Sequence, residues 1–262
     1  MPDSIDHLVI ACPDPAAAAG EIEARLGLRA TGSGRHAALG TFNRLVWLGD
    51  GYIELVGVWD AGLAAASWIG QPVIAANAAG GGLATWAAGT SQLEVDVQAL
   101  RSGGSGIGEP QTGERIRPDG RVVRWTLACA IPLGPLMPPF LIEHDMTAAE
   151  WTEPERAERA EQRHPLGGPA RLSTLQLPAA DLPGVTRRYL RTVGIGPFRP
   201  SLAGHGAREA PIGPHAIRFM PAQVAGWPMA TIHLRVELPG EPAGRVVRDE
   251  TLLGCHWIIR TG

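Results

Sequence analysis

The sequence predicts an α+β protein made of repeated βαβββ modules, whose strands form a curved, mostly antiparallel sheet with helices on its outside. Two observations predict this fold. A strand followed by a capped helix recurs three times along the 262 residues. After each helix come short apolar segments separated by turn residues. With 45% apolar and 19% charged residues, a chain of this length can bury a core without a disulfide or metal staple.

The first strand is Ile5 to Cys12, ended by Pro13. Asp14-Pro15 supplies a helix N-cap and first-turn proline, Ala18, Ile22 and Leu26 lie on one helical face, and Gly27 closes the helix. Strands are expected at His36 to Leu39, Asn43 to Leu48 and Tyr52 to Val58, the last two joined through Gly49-Asp50-Gly51. The second module opens with Leu83 to Ala88. Ser91 and Glu94 have capping-box spacing, and Leu93, Val97 and Leu100 form the stripe of its helix. Its strands are Arg115 to Arg117, Val122 to Ala130 and Phe140 to Glu143, with a turn at Pro118-Asp119-Gly120. The third copy has a strand at Leu172 to Leu177 and a helix capped by Asp181, carrying Val185, Tyr189 and Val193 and closed by Gly194. Its later strands are Ala216 to Met220, Met229 to Glu237 and Thr251 to Arg260.

The expected domains are therefore 1–146 (modules 4–60 and 82–146), a linker at 147–168, and a divergent third module at 169–262. Residues 60–82 read as a surface helix, with Trp59 and Trp68 as candidate lid residues, and 155–163 as a short solvated helix or linker. An unpaired third module would leave a sheet edge and an apolar face uncovered, so a homodimer is expected.

A net charge of −3 gives no electrostatic reason to expect a nucleic-acid partner. Three cysteines without CxxC spacing read as buried residues in a reducing cytosol. The N-terminus has no signal-peptide pattern and no stretch approaches the roughly 20 apolar residues of a membrane span, so a cytoplasmic setting without membrane contact is expected. Phosphate-loop, dinucleotide and nucleophile-elbow motifs are absent, which excludes a nucleotide cofactor on motif grounds.

The run Asp6-His7-Leu8-Val9-Ile10-Ala11 resembles the opening of glyoxalase-like members of the vicinal-oxygen-chelate superfamily. So do Gly34-Arg35-His36, Leu39-Gly40-Thr41-Phe42-Asn43 and Leu48 to Leu55, and in the second module Arg117 to Gly120, Arg124-Trp125 and Pro139 to Glu143. The resemblance covers about the first 145 residues well and the remainder loosely. It implies two modules in an open barrel around a divalent metal that binds vicinal oxygens of a small molecule. His7, Glu54 and Glu143 match the ligand positions. Ala84 and Thr174, seven residues before their helix caps as His7 is, are not ordinary ligands. One imidazole and two carboxylates could hold Fe, Mn, Zn, Ni or Mg with open positions.

On this reading the metal ligands are His7, Glu54 and Glu143. The proton-transfer candidates are His36, Glu54 and Glu143. Asn43, Trp47, Trp86, Trp125 and Arg124 are the expected substrate contacts. For each, a structural role competes: a hydrogen-bonded core histidine, an outward glutamate, a turn-stabilising His36 or Asn43, a solvated arginine or plain core tryptophans. Strand alternation places His144 opposite to Glu143, which argues against His144 as a co-ligand. The implied function is a metal-assisted isomerase, lyase or dioxygenase acting on a small oxygenated molecule. The alternatives are a metal-free variant using a glutamate base, a protein that sequesters an antibiotic or metabolite without chemistry, and a structural or dimerisation module.

Overall fold

The computed structural model of the chain describes residues 1–222 and 229–262. The first module comprises β1 (Ser4–Ala11), α1 (Pro15–Leu26), β2 (Gly32–His36), β3 (Thr41–Leu48) and β4 (Gly51–Val58). The second comprises β5 (Gly82–Gly89), α4 (Leu93–Ser102), β6 (Gln111–Ile116), β7 (Val122–Ala128) and β8 (Phe140–His144). Between them, α2 (Ala61–Ala66) and α3 (Gly70–Ala78) replace the single surface helix expected there.

The eight strands close into a barrel of order β1-β4-β3-β2-β6-β7-β8-β5. Each module pairs its first strand with its last in parallel, and β1 and β5 join the modules antiparallel. The far seam is thin, with Arg35 opposite Ile116. The resemblance implied an open barrel, whereas this one is closed.

Local chemistry explains the helix ends. Asp14 accepts from the Ala16 and Ala17 amides, Pro15 fills the first turn, and Gly27 ends α1 in the left-handed region. The expected Ser91–Glu94 capping box does not form: α4 starts at Leu93, and its N-cap Gln92 makes no side-chain cap. The expected strand at 36–39 is a 3-10 turn over Ala37–Leu39, closed by Gly40.

The second half carries β9 (Ala170–Ala179), α6 (Leu182–Val193), β10 (Arg199–Pro200), β11 (Arg208–Ile212), β12 (His215–Pro221), β13 (Thr231–Val236), β14 (Val246–Leu252) and β15 (Cys255–Thr261). Their order is β10-β11-β12-β9-β13-β15-β14. The sequence reading made this a single βαβββ module. Residues 170–221 do form one, and 231–261 add a βββ unit without a helix. The strand expected at 251–260 is instead a tight hairpin turning at Leu253-Gly254. The pairing of the first barrel recurs here: β9 with β12 and β13 with β15 in parallel, and β9 with β13 antiparallel.

One apolar core joins the halves. Leu8, Ile10 and Trp86 from the outer wall of the barrel pack with Ile22, Val97 and Tyr189 of α1, α4 and α6, and with Leu175, Phe219, Ile232 and Trp257 of the second sheet. The apolar face that suggested a homodimer is thus covered within the chain. No helix among the described residues is long and apolar enough to cross a membrane.

The segment expected as a linker is packed onto the barrel. It carries α5 (Glu153–Ala160), and Trp151, Arg159 and His164 are buried. The Arg159 guanidinium lies 4.1 Å over the Trp47 ring, and His164 Nε2 lies 3.0 Å from the Trp47 carbonyl oxygen. Charge density suggested a solvated segment, but an arginine can bury its plane on an aromatic face.

Candidate functional site

The interior of the first barrel holds a small cavity of about 50 Å³. Strand alternation decides what enters it. On β1, His7, Val9 and Ala11 turn inward while Leu8 and Ile10 join the outer core. On β3 and β4, Asn43, Leu45, Tyr52 and Glu54 face in, and on β7 and β8, Trp125, Leu127, Phe140, Ile142 and His144 do. The register agrees, since His7 pairs with Tyr52, Leu45 with Glu54, and Trp125 with His144.

Glu54 lies at the polar centre and is only 7% exposed. Asn43 Nδ2 donates to Glu54 Oε1 at 2.6 Å, and the Asn43 carbonyl oxygen is buried without a partner among the described residues. The Nε2 atoms of His7 and His36 each lie 3.8 Å from a Glu54 oxygen, on Oε2 and Oε1 respectively. Both imidazoles are held from behind: His7 Nδ1 by Asp6 Oδ1 at 2.5 Å, and His36 Nδ1 by Thr41 Oγ1 at 3.0 Å. Tyr52 stacks on His7 with ring centroids 4.4 Å apart.

Asp6 reaches this group through a register shift between Ile5 and His7, a bulge that brings neighbouring side chains round to each other. The carboxylate also meets His144 Nε2 at 3.0 Å, and the His144 ring stacks on Trp151 at 3.7 Å. Burial pushes the Asp6 carboxyl up, but His144 and His7 more than offset this and hold it below the usual carboxylate range. Burial pushes the His36 imidazole down, against the pull of Glu54 and with help from Arg115 and His7. Burial and the charges of Asp6 and Glu54 raise the Tyr52 hydroxyl well above its ordinary range.

A buried ion pair closes one side. Arg115 Nη2 meets Glu150 Oε2 at 2.5 Å, and its Nη1 donates to the Ser33 carbonyl at 2.9 Å. Gly34 leaves room for the arginine stem, since a Cβ there would lie 2.3 Å from Arg115 Cδ. From the segment joining α2 and α3, Trp68 reaches the cavity and meets Phe140 edge-on at 5.1 Å.

Of the residues expected at the site, His7, His36, Asn43, Glu54 and Trp125 come together, and four do not. Glu143 turns to the outside of the barrel, where its Oε2 accepts the Leu93 amide at 2.8 Å. Trp86 lies on the outer wall, its Nε1 donating to Tyr189 Oη at 3.4 Å. Trp47 is buried behind Tyr52 and Trp151 and stays outside the cavity lining. Arg124 is exposed in a wider cleft at the barrel mouth. Asp6, Tyr52, Arg115, His144, Glu150 and Trp151 were not anticipated. The adjacency of Asp6 to His7 is an available signal, but period-two alternation puts neighbouring side chains on opposite faces.

The expected metal set therefore does not assemble. Glu143 is engaged elsewhere, and β5 turns Ala87 and Thr85 to the side of His7 and Val9, neither of the two carrying an imidazole or carboxylate. Among the described residues no group of three or more His, Cys, Asp or Glu side chains is placed to hold a metal ion. The donors that do converge suit acid–base chemistry.

Two βαβββ modules closed into one barrel, with polar side chains turned into its cavity, define a vicinal-oxygen-chelate fold. The chain belongs to the glyoxalase-like domain family, whose model matches residues 5–193. A hypothetical protein from Staphylococcus aureus superposes with a TM-score of 0.77 at 14% identity, covering 98% of this chain and 99% of its own. A mutant of 4-hydroxymandelate synthase from Streptomyces coelicolor gives a TM-score of 0.52 at 11% identity, covering 100% of this chain and 93% of its own. A Streptomyces coelicolor methylmalonyl-CoA epimerase variant covers 54% of this chain and 97% of its own, at 22% identity and a TM-score of 0.41. The first two likenesses are of fold alone. No curated protein matches the chain in sequence.

Proposed function

We propose that the chain is an enzyme that moves a proton on a small oxygenated molecule held in the first barrel, as an isomerase or a lyase does. Glu54 is the base, and His7 and His36 are the groups that supply or accept protons beside it. The observation that carries this reading is the buried carboxylate of Glu54, anchored by Asn43 at 2.6 Å and facing an imidazole nitrogen on either side at 3.8 Å. A carboxylate taken from water is costly unless partnered, and here the partners leave one face toward the cavity. Trp68, Trp125, Leu127 and Phe140 supply apolar walls that exclude water and strengthen electrostatic effects on a developing enolate. The unpartnered Asn43 carbonyl oxygen is suited to accept a hydrogen bond from a substrate hydroxyl. Three free cysteines suit a cytosolic setting.

The test is deuterium wash-in. Small carbonyl compounds bearing an acidic C–H are incubated with the protein in heavy water and followed by NMR. The reading expects incorporation with at least one compound and its loss in Glu54→Gln. Incorporation that survives Glu54→Gln contradicts the assignment of the base. Tight binding of an aromatic compound with no exchange across the panel would support the sequestering alternative, which the aromatic walls also suit.

A further inference from the structure

We infer that His144 is the proton port of the barrel site: a relay runs from His7 through Asp6 to His144, and from there to water in the cleft between the barrel and the second sheet. The inference rests on the reading above, in which His7 exchanges protons with Glu54.

One carboxylate bridges two imidazoles. Asp6 Oδ1 lies 2.5 Å from His7 Nδ1, and Asp6 Oδ2 lies 3.0 Å from His144 Nε2. The other nitrogen of His7 faces Glu54 at 3.8 Å. The other nitrogen of His144, Nδ1, is buried with no partner among the described residues. An unpaired buried ring nitrogen is costly, and a water is the partner a relay requires. The His144 side chain is only 7% exposed, yet its ring borders three spaces: the cavity around Glu54, the cleft at the barrel mouth, and the inter-sheet cleft that also meets Asp6, Thr174 and His215. Trp151, stacked at 3.7 Å, fixes the ring at that junction.

In atoms, a proton arriving on His7 Nε2 releases the proton on Nδ1 to Asp6. His144, whose Nε2–H donates to Asp6 at rest, must first exchange to the Nδ1–H tautomer through water; Asp6 then passes the proton to the freed Nε2, and the ring loses its Nδ1 proton to water. One proton enters and one leaves, His7 changes tautomer, His144 ends in its resting one, and the reverse run returns a proton to the site. Asp6 hands the proton on and stays ionised between runs.

The test needs no substrate, so it can fail or succeed independently of the Glu54 assignment. In protein labelled with 15N-histidine, solvent exchange of the His7 ring proton bonded to Asp6 is followed by NMR. The relay expects this exchange to slow about tenfold in His144→Phe, which keeps a ring on Trp151, with the His7–Asp6 resonance still present. His144→Gln, which can bond Asp6 but offers no two-nitrogen path, slows it likewise. An unchanged rate in either variant overturns the relay. In the unaltered protein the His144 ring proton must exchange at least as fast as that of His7, and slower exchange at His144 also overturns it.

Discussion

Glu143 and Leu93 meet across the outer wall of the barrel, the Glu143 carboxylate accepting the first amide of α4 at 2.8 Å. The N-cap residue Gln92 makes no side-chain cap, so a residue 50 positions away does that work. A carboxylate there satisfies an orphan amide and favours the positive end of the helix.

Glu143→Ala should therefore lower stability by about 1 kcal/mol, in the range of a lost helix cap. Chemical denaturation measures it. Deuterium wash-in by the folded variant should be unchanged, because the residue is outside the cavity. Loss of wash-in with unchanged stability would restore Glu143 to the site.

The Arg115–Glu150 pair ties the segment before α5 to β6, with both side chains less than a tenth exposed. Arg115→Met leaves the buried Glu150 carboxylate with only the longer pair to Arg117 at 3.9 Å, and should cost about 3 kcal/mol. Adding Glu150→Gln should recover much of that loss. A double variant no more stable than Arg115→Met alone would show that the two charges are not coupled.

Acid should weaken the fold in two windows. His215 and His233 are pushed down to about 4 by burial, from an ordinary 6.5. Between those values the unfolded chain binds protons that the folded one does not, so stability falls as pH drops from about 6.5 towards 4. Asp6 is shifted the opposite way in charge terms. Its folded carboxyl is depressed, so its contribution is complete above the ordinary carboxylate range and drains away below it. Melting temperature against pH should show both slopes. His233→Leu should flatten the first, and Asp6→Asn the second. An unchanged slope in a variant would show that the residue does not titrate as described.

Asn43→Ala removes the donor on the Glu54 carboxylate. The loss of a hydrogen bond to a buried charge should cost about 1.5–3 kcal/mol. Wash-in should fall even when the protein is fully folded, because the base is no longer held between His7 and His36. Wash-in equal to that of the unaltered protein would make Asn43 a structural residue only.

The sequence revealed the modules where alternation and caps were clean. Strand β1 followed by Asp14-Pro15 and Gly27 could be read directly, and inward His7, Asn43 and Glu54 followed from it. The failures share a physical cause. Strands β5 and β8 are buried on both faces, one toward the cavity and one toward α4 and the second sheet, so both faces are apolar and alternation carries no sign. Trp86 and Glu143 were placed on the wrong side for that reason, and His144 was set aside with them. The bulge that brings Asp6 to His7 has no sequence mark. The helix-free β13–β15 unit lacks the cap that identified the other three modules, so it was merged with its neighbour.

The most direct test of the account is to ask which histidines feel a small ligand. A fragment library is titrated into ring-labelled protein and followed by NMR. The account predicts that the hits move the His7 and His36 resonances and leave His233 and His256, on the second sheet, in place. Hits that move His233 or His256 while His7 and His36 stay still would contradict it.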